Sequence, residues 1–208
     1  MKKSKRVKKT NSWKIKQHRD QFFKKSKTLG YRSRAYFKLI ELNNKYKFIK
    51  KNTNLLDLGS YPGGWTQVAS KIIKEGKIMS VDIKEMAPVK NVKFIKGNFL
   101  QVETKIKIQK YFNYKLDVIL SDMAADTTGN KSLDSIRTNQ LCADMINFSK
   151  EMLKPKGVLI SKIFMGEDFL EVKNLAKSIF QKVSFFKPES SRKESKETYL
   201  HCEIFKTL

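Results

Sequence analysis

The sequence is poor in cysteine, in acidic residues and in long apolar runs. Two cysteines among 208 residues exclude a disulfide-based scaffold and a cysteine zinc site. No apolar run reaches the roughly 18 residues that a membrane-spanning helix needs, and the basic N-terminus lacks the apolar segment of a secretory signal. These absences predict a reduced, soluble protein of the cytoplasm that does not bind membranes.

Basic residues outnumber acidic ones, 44 to 20, which gives a formal net charge of +24. Such an excess predicts a polyanionic partner, above all nucleic acid, although AT-biased coding could supply part of it. Residues 2–27 hold twelve basic residues and one acid, Asp20, with Phe22 and Phe23 among them. We therefore predict a basic extension over residues 1–30, disordered over 1–12, that faces nucleic acid. A solvated tail or a membrane-surface segment is the alternative.

The remaining residues, 31–208, predict one α/β domain with a Rossmann-like fold. An apolar content of 40% is enough for one sizeable core, and helical spacing begins at Ser33, a suitable N-cap. Strands alternating with helices predict a mostly parallel sheet with helices on both faces, and two final strands without a helix between them predict an antiparallel edge hairpin. The predicted strands are 54–58, 78–82, 92–96, 116–121, 157–163, 182–187 and 198–205, and the helices between them are 65–74, 101–110, 134–153 and 167–180.

A glycine- and proline-rich loop follows the first predicted strand, within residues 55–65. Ligands of doubly wound sheets bind beyond the carboxyl ends of the strands, near this turn. The spacing Gly-x-x-x-Gly-Gly, from Gly59 through Gly63, lacks the fingerprint that packs against a dinucleotide pyrophosphate; an ordinary tight turn is the alternative. Asp82 ends the next strand, where an acid receives ribose hydroxyls. Loop and acid together favour S-adenosylmethionine over NAD or FAD.

Four further polar residues each permit both a functional and a structural interpretation. Asp122 follows the strand 116–121, where it either faces the ligand crevice or anchors a loop. Lys162 lies inside an apolar strand, where a charge is costly unless it is paired, but lysine is common in this chain and can snorkel to solvent. Lys38 lies at the margin of an apolar helix face, and Glu197 enters the last strand.

Taken together, six ordered motifs between about Trp13 and His201 resemble the FtsJ-type ribosomal RNA 2′-O-methyltransferases. The resemblance implies S-adenosylmethionine-dependent methylation of a uridine ribose in the A-loop region of 23S rRNA, on the large ribosomal subunit. It implies a catalytic Lys-Asp-Lys-Glu tetrad and a set of donor contacts. The tetrad falls on Lys38, Asp122, Lys162 and Glu197, and the donor contacts on Gly63, Trp65, Asp82 and Asp122. The motifs are Tyr31–Leu39, Asp57–Gly59 with Pro62–Trp65, Ser121–Ala124, Lys154–Gly157, Lys162–Phe164 and Ser191–Tyr199.

Three positions depart from the family pattern. Asn98 stands where the family usually has aspartate; an amide can still meet an adenine edge, so we assign Asn98 to the donor site with a modest loss of affinity. Ala125 and Asp126 replace a Pro-Asn pair, which changes the substrate-side loop. Tyr61 replaces a small residue beside the glycine loop.

The resemblance leaves the protonation state of Lys162 open. A free lysine, with a pKa of about 10.4, is roughly 0.1% neutral near pH 7.4. Burial, Lys38 and a cationic sulfonium would lower the pKa of Lys162, whereas Asp122 and Glu197 would raise it. Lys162 is therefore either a general base or an ammonium group that positions and polarises the ribose oxygen.

The expected partner is 23S rRNA in the large subunit, with no metal and with a monomeric enzyme. Arg32 and Arg34 precede Lys38, so we expect the basic segment to lead RNA to the crevice. His18 and His201 are isolated and indicate no metal site. Two rival functions remain, a tRNA or cap 2′-O-methyltransferase and a non-catalytic RNA-binding assembly factor.

Overall fold

The structure is a computed structural model that describes residues 20–113 and 115–206. The disorder predicted for residues 1–12, and the basic and aromatic residues before Asp20, lie outside the described residues. The division of the chain at residue 30 into an extension and a domain stays a prediction.

A seven-stranded sheet in the order β3-β2-β1-β4-β5-β7-β6 forms the centre of the fold. The pairings among β1 to β5 are all parallel, whereas β7 is antiparallel to both β5 and β6. This topology confirms the predicted Rossmann-like sheet with an antiparallel edge pair. The strands are β1 (Leu55–Leu58), β2 (Ile78–Asp82), β3 (Lys93–Lys96), β4 (Leu116–Ser121), β5 (Leu153–Phe164), β6 (Phe180–Phe186) and β7 (Glu197–Phe205).

Six helices accompany this sheet in the described chain. Two separate clusters of buried apolar side chains hold them: one contains Leu39 and Val68, and the other Ile108 and Val172. The helices are therefore divided between the two faces of the sheet, as predicted. They are α1 (Gln21–Thr28), α2 (Ala35–Tyr46), α3 (Gly64–Ile72), α4 (Val102–Phe112), α5 (Lys131–Met152) and α6 (Phe169–Ile179).

The largest difference from the sequence prediction is α1, which was not predicted. Its N-cap is Asp20, whose carboxylate accepts hydrogen bonds from the amides of Phe22 and Phe23. Phe22 packs on Phe37 of α2, with ring centroids 5.5 Å apart. Phe22, an aromatic residue of the basic segment, thus packs α1 against α2.

The prediction of Ser33 as the N-cap of α2 is wrong. Arg34 occupies the cap position in helical conformation and makes no side-chain capping bond. The backbone carbonyl of Ser33, not its hydroxyl, accepts from the amide of Tyr36. The hydroxyl lies instead against Gly64, where any β-carbon would collide with it.

Candidate active site

A cavity of about 560 Å³ opens at the carboxyl ends of the parallel strands. Its volume lies within the range of small-molecule sites, and its position is the one at which Rossmann-like folds bind ligands. Residues from the ends of β1, β2 and β4 form its floor. They include Leu58, Gly59, Val81, Asp82, Asp122 and Met123.

Asp82 and Asn98 both line this cavity, and their contact with the methyl donor stays a prediction. The two carboxylate oxygens of Asp82 accept hydrogen bonds from the amides of Tyr61 and Lys84, each at 2.8 Å. The carboxylate is therefore fixed at the end of β2, with lone pairs left for ribose hydroxyls. The side-chain oxygen of Asn98 accepts a hydrogen bond from the amide of Leu100 at 3.0 Å. Its NH₂ group is therefore the part of the side chain that can donate hydrogen bonds to a ligand.

Gly63 and Trp65 are not among the described residues that line the cavity. Gly63 precedes α3 with φ of 107°, and a β-carbon there would lie 2.6 Å from a guanidinium nitrogen of Arg32. Trp65 is buried, and its indole donates to the carbonyl of Ala35 at 2.8 Å. Both residues shape the loop beneath the cavity, and direct contact between them and a donor stays a prediction.

Within the glycine-rich loop after β1, Gly59 borders the cavity and has a φ of 70°. A β-carbon at this position would collide with the side chain of Met123, the residue after Asp122. Glycine at position 59 thus permits the β1 loop and the β4 loop to approach each other and keeps the cavity open.

The four predicted catalytic side chains meet beside this cavity. The ammonium nitrogen of Lys162 lies 2.7 Å from Oδ1 of Asp122 and 3.7 Å from Oε2 of Glu197. The ammonium nitrogen of Lys38 lies 2.7 Å from Oε1 of Glu197 and 4.0 Å from Oδ1 of Asp122. Two cations and two anions therefore alternate in one compact cluster. Asp122 belongs both to the cluster and to the cavity lining.

Distant parts of the chain supply this cluster. Lys38 comes from α2 and Asp122 from the loop after β4. Lys162 lies in β5, and Glu197 is the first residue of β7. Lys162 also donates to the backbone carbonyl of Asp122 at 2.7 Å, so both polar groups of that aspartate orient it.

Tyr199 is a fifth member of the cluster that the sequence analysis missed. Its hydroxyl donates to Oδ1 of Asp122 at 2.6 Å and accepts from Lys38 at 3.0 Å. Tyr199 is fully buried and packs on Trp65, with ring centroids 5.5 Å apart. The available signal was the strand period: residues two apart share a face, so the assignment of Glu197 should have extended to Tyr199.

The neighbouring charges in the cluster determine the protonation state of Lys162. Burial is the largest single influence and favours the neutral amine, but the carboxylates of Asp122 and Glu197 together outweigh it. They hold the pKa of Lys162 above its ordinary value. Burial likewise opposes ionisation of the two carboxyls, yet Lys162 and Lys38 hold the pKa of Asp122 and of Glu197 below their usual ranges. Lys162, Asp122 and Glu197 are therefore charged near neutral pH.

Asp57, next to this cluster in β1, behaves in the opposite way. Burial raises its pKa to about 7, which a hydrogen bond from Thr66 at 2.6 Å only partly opposes. The negative charges of Asp122 and Asp82 add to the rise.

The two arginines before Lys38 make hydrogen bonds within the protein. The guanidinium of Arg32 donates to the carbonyls of Ala87 at 2.6 Å and Pro88 at 2.7 Å. Arg34 donates to Asp20 and to the carbonyl of Ser190. Both side chains thus hold loops of the protein together.

His201 is buried within the edge hairpin. Its ring stacks on Tyr46 with centroids 3.8 Å apart, and Ser184 and Glu203 flank its two nitrogens at 3.2 and 3.1 Å. Over residues 20–113 and 115–206, no three His, Cys, Asp or Glu side chains are grouped as a metal site. No helix in these ranges is long and apolar enough to cross a bilayer.

The sheet topology, the cavity with Asp82 at the end of β2 and the polar cluster beside it define the class of S-adenosylmethionine-dependent methyltransferases. A putative ribosomal RNA methyltransferase from Plasmodium falciparum is similar, with a TM-score of 0.76 and 38% identity, covering 84% of this chain and 98% of that one. Human methyltransferase-like protein 13 in complex with SAH shares the fold, with a TM-score of 0.58 and 17% identity, covering 77% and 76% of the two chains.

The family is defined more narrowly by sequence. The model of the FtsJ-like methyltransferase family matches residues 31–205. Ribosomal RNA large subunit methyltransferase E of Pelagibacter ubique is 44% identical over 197 residues, which cover 95% of this chain and 97% of the relative. The protein of the same name from Rickettsia akari is 42% identical over 202 residues, covering 94% and 89%. The chain belongs to the FtsJ-like methyltransferase family, which confirms the resemblance and the predicted methyl donor.

Proposed function

We propose that the protein methylates the 2′-oxygen of a uridine ribose in the 23S rRNA of the large ribosomal subunit. The observation that carries this proposal is the cluster of Lys38, Asp122, Lys162 and Glu197 at the edge of the donor cavity. Its alternating charges suit an alcohol that must be oriented and deprotonated. The names of the relatives supply the substrate class, a large-subunit ribosomal RNA. The uridine and its 2′-oxygen follow from the tetrad that the FtsJ-type resemblance implies.

The cavity residues fit the methyl donor. Asp82 is placed to accept hydrogen bonds from a ribose diol, Asn98 to meet an adenine edge, and Asp122 to face positive charge. S-adenosylmethionine supplies, when bound, an electrophilic methyl group on a positively charged sulfur. Asn98 presents an NH₂ group, which donates hydrogen bonds, where the family has an aspartate carboxylate. We therefore propose a modestly weaker affinity for S-adenosylmethionine.

Lys162 enters the reaction as an ammonium group. Asp122 holds it by a carboxylate and by a backbone carbonyl, so its remaining hydrogen-bonding capacity can position and polarise the ribose oxygen. Alignment of the oxygen with the methyl carbon is the larger contribution, since well-oriented reactants gain as much as roughly 7–11 kcal/mol.

The proton of the ribose hydroxyl leaves to a carboxylate of Asp122 or Glu197. Because both carboxyls have a low pKa, they accept this proton only after the oxygen–carbon bond has begun to form, when the hydroxyl has become strongly acidic. Bound S-adenosylmethionine would supply the methyl carbon to the ribose oxygen and would keep the electron pair of the carbon–sulfur bond on its own sulfur. Lys38, 2.7 Å from Glu197, balances the charge of that carboxylate while it is ionised.

Binding of RNA depends on the excess of basic residues. The net charge of +24 supplies affinity that weakens with salt, because bound phosphates release counterions. The target nucleotide has to be single-stranded or flipped out for its 2′-oxygen to reach the donor. A monomeric enzyme in the cytoplasm, without a metal, completes the proposal.

Transfer of a labelled methyl group to large-subunit particles tests the proposal, with ribose 2′-O-methyluridine identified in digests of the 23S rRNA. Lys162→Ala serves as the inactive control. Transfer to tRNA or capped RNA in place of the particles would favour the first rival function. Particle binding by the wild-type protein without any transfer would favour the assembly factor.

The pH dependence of the rate distinguishes the two roles of Lys162. With Lys162 acting as an ammonium group, kcat is expected to stay flat between about pH 6 and pH 9, because its pKa lies above this window and the carboxyl pKa values lie below it. A rate that rises tenfold per pH unit across the same window would instead mean that the neutral amine is the reactive form.

A further inference from the structure

The single acidic residue of the basic segment, Asp20, connects three parts of the structure. One carboxylate oxygen caps α1 by accepting from the amides of Phe22 and Phe23, both at 3.1 Å. The other accepts from Arg34 and lies 3.6 Å from Nε of Arg192. The Asp20 side chain is only 9% exposed, so this is a packed contact and not a loose surface pair.

Arg34 and Arg192 connect Asp20 to the loop between β6 and β7, residues 187–196. Arg34 donates to the carbonyl of Ser190, which is fully buried, and Arg192 is itself part of the loop. Glu41 of α2 holds the same loop by accepting from the amides of Glu189 at 2.6 Å and Ser190 at 3.1 Å.

The loop in turn fixes one arm of the catalytic cluster. The buried hydroxyl of Ser191 donates to Oε1 of Glu197 at 2.7 Å, and that same oxygen lies 2.7 Å from Lys38. Any displacement of the loop therefore changes the position of Glu197 relative to Lys38. A short chain of contacts runs from Asp20 through the arginines and Ser191 to this carboxylate.

We propose that Asp20 is a positioning residue for methyl transfer, acting through Arg34, Arg192 and Ser191 to hold Glu197 in place. The inference rests on the proposed function. It assigns to the basic segment a second task besides attracting RNA, because the segment's only acid is placed where it orders the active site.

Asp20→Asn in the full chain is the sharpest test, because asparagine keeps the N-cap of α1 but loses the charge that pairs with both arginines. We expect kcat on large-subunit particles to fall about tenfold, since small misplacements near reacting groups are costly. The KM for S-adenosylmethionine should change less than about twofold. Glu194→Gln, in the exposed part of the same loop, changes the net charge equally and should leave kcat unaltered.

Coupling separates positioning from general destabilisation. Ser191→Ala alone should lower kcat to a similar extent, and the double variant Asp20→Asn/Ser191→Ala should lose little more than the worse single variant. Arg192→Gln, at a half-buried site, should give a smaller loss and provides the test should Asp20→Asn fold poorly.

Three results would overturn the inference: a kcat of Asp20→Asn within about twofold of wild type, losses that multiply in the double variant, or a rise in the KM for particles alone. A wild-type protein without transfer would refute the proposed function itself, which keeps the two failures distinct.

Discussion

Two lysine–aspartate pairs join β4 and β5 at opposite ends of the sheet. At the carboxyl end, Lys162 lies 2.7 Å from Asp122, and at the amino end Lys154 lies 2.6 Å from Asp117. The chemical groups and distances are nearly the same. The side chains of the first pair are 9% and 18% exposed, whereas those of the second are 44% and 32% exposed.

The two pairs differ in their exposure to solvent and in their neighbouring charged groups, and not in their own chemistry. Solvent screens Lys154 and Asp117, and exposed pairs of this kind contribute about 0–1 kcal/mol to stability. Lys162 and Asp122 are out of water and share Glu197, Lys38 and Tyr199, so removal of one partner leaves an uncompensated buried charge. Ligands of parallel sheets bind at the carboxyl end, and Asp122 of the pair at that end lines the cavity that Asp82 also lines.

The largest expected effect comes from breaking each pair in turn. Lys162→Ala should lower kcat for methyl transfer by roughly 10²–10³-fold, because a preorganised charge is lost from the reacting oxygen. Lys154→Ala, the matched control on the same strand, should stay within about twofold of wild type. Single-turnover transfer to large-subunit particles measures both. Equal losses in the two variants would mean that the end of the sheet does not matter.

A third aspartate, Asp57, sharpens the comparison because it is buried and, within the described chain, has no basic partner. Its folded pKa of about 7 lies above the unfolded value of 3.8, so the folded state retains a proton that the unfolded state has released between these values. The free energy of unfolding should therefore fall as pH rises through this window, by up to about 4 kcal/mol.

Asp57→Asn should remove this pH slope and raise the free energy of unfolding at pH 8 more than at pH 4, as measured by urea denaturation at each pH. Glu151→Gln, an exposed acid on α5, is the control that should leave the slope in place. An unchanged slope in Asp57→Asn would show that another group is responsible.

The smallest expected effect comes from Tyr199→Phe, which removes the hydroxyl that bonds to Asp122 and Lys38. Loss of hydrogen bonds to charged partners should lower the free energy of unfolding by about 1.5–3 kcal/mol and kcat by about tenfold. Tyr111→Phe is the control, because that hydroxyl makes only a long bond of 3.4 Å to a backbone carbonyl. A stability loss with full kcat would give Tyr199 a purely structural role.

The sheet could be predicted because short apolar runs separated by helical stretches admit few topologies. The runs at 54–58, 78–82 and 116–121 are buried strands within a residue of their predicted bounds. The helix predicted over 134–153 begins at Lys131, because Asn130 caps it by accepting from the amides of Ser132 and Leu133. Because the cap lies before the first apolar residues of the helix, the spacing of apolar residues does not reveal where the helix begins.

The cluster of charged side chains could be predicted only through the resemblance, since Lys38 and Glu197 have no distinguishing pattern of their own. Its state of charge depends on the balance between burial and the carboxylate oxygens within 4 Å of Lys162, which spacing does not reveal. Helix α1 was not predicted because only two of its eight residues, Phe22 and Phe23, are apolar, too few to show a helical spacing. The contacts that stabilise it, from Asp20 to Arg34 and Arg192, join residues far apart in the chain.

Sheet order has a consequence for how the enzyme is made. β7 is the last strand of the sheet in sequence, yet it lies between β5 and β6 and supplies Glu197 and Tyr199. In a nascent chain that has reached only β6, the edge of β5 that faces away from β4 has no β7 to pair with, and the cluster lacks Glu197 and Tyr199. The same strand thus completes the sheet and the cluster, and a product that ends before β7 would expose an unpaired strand edge that is prone to aggregation.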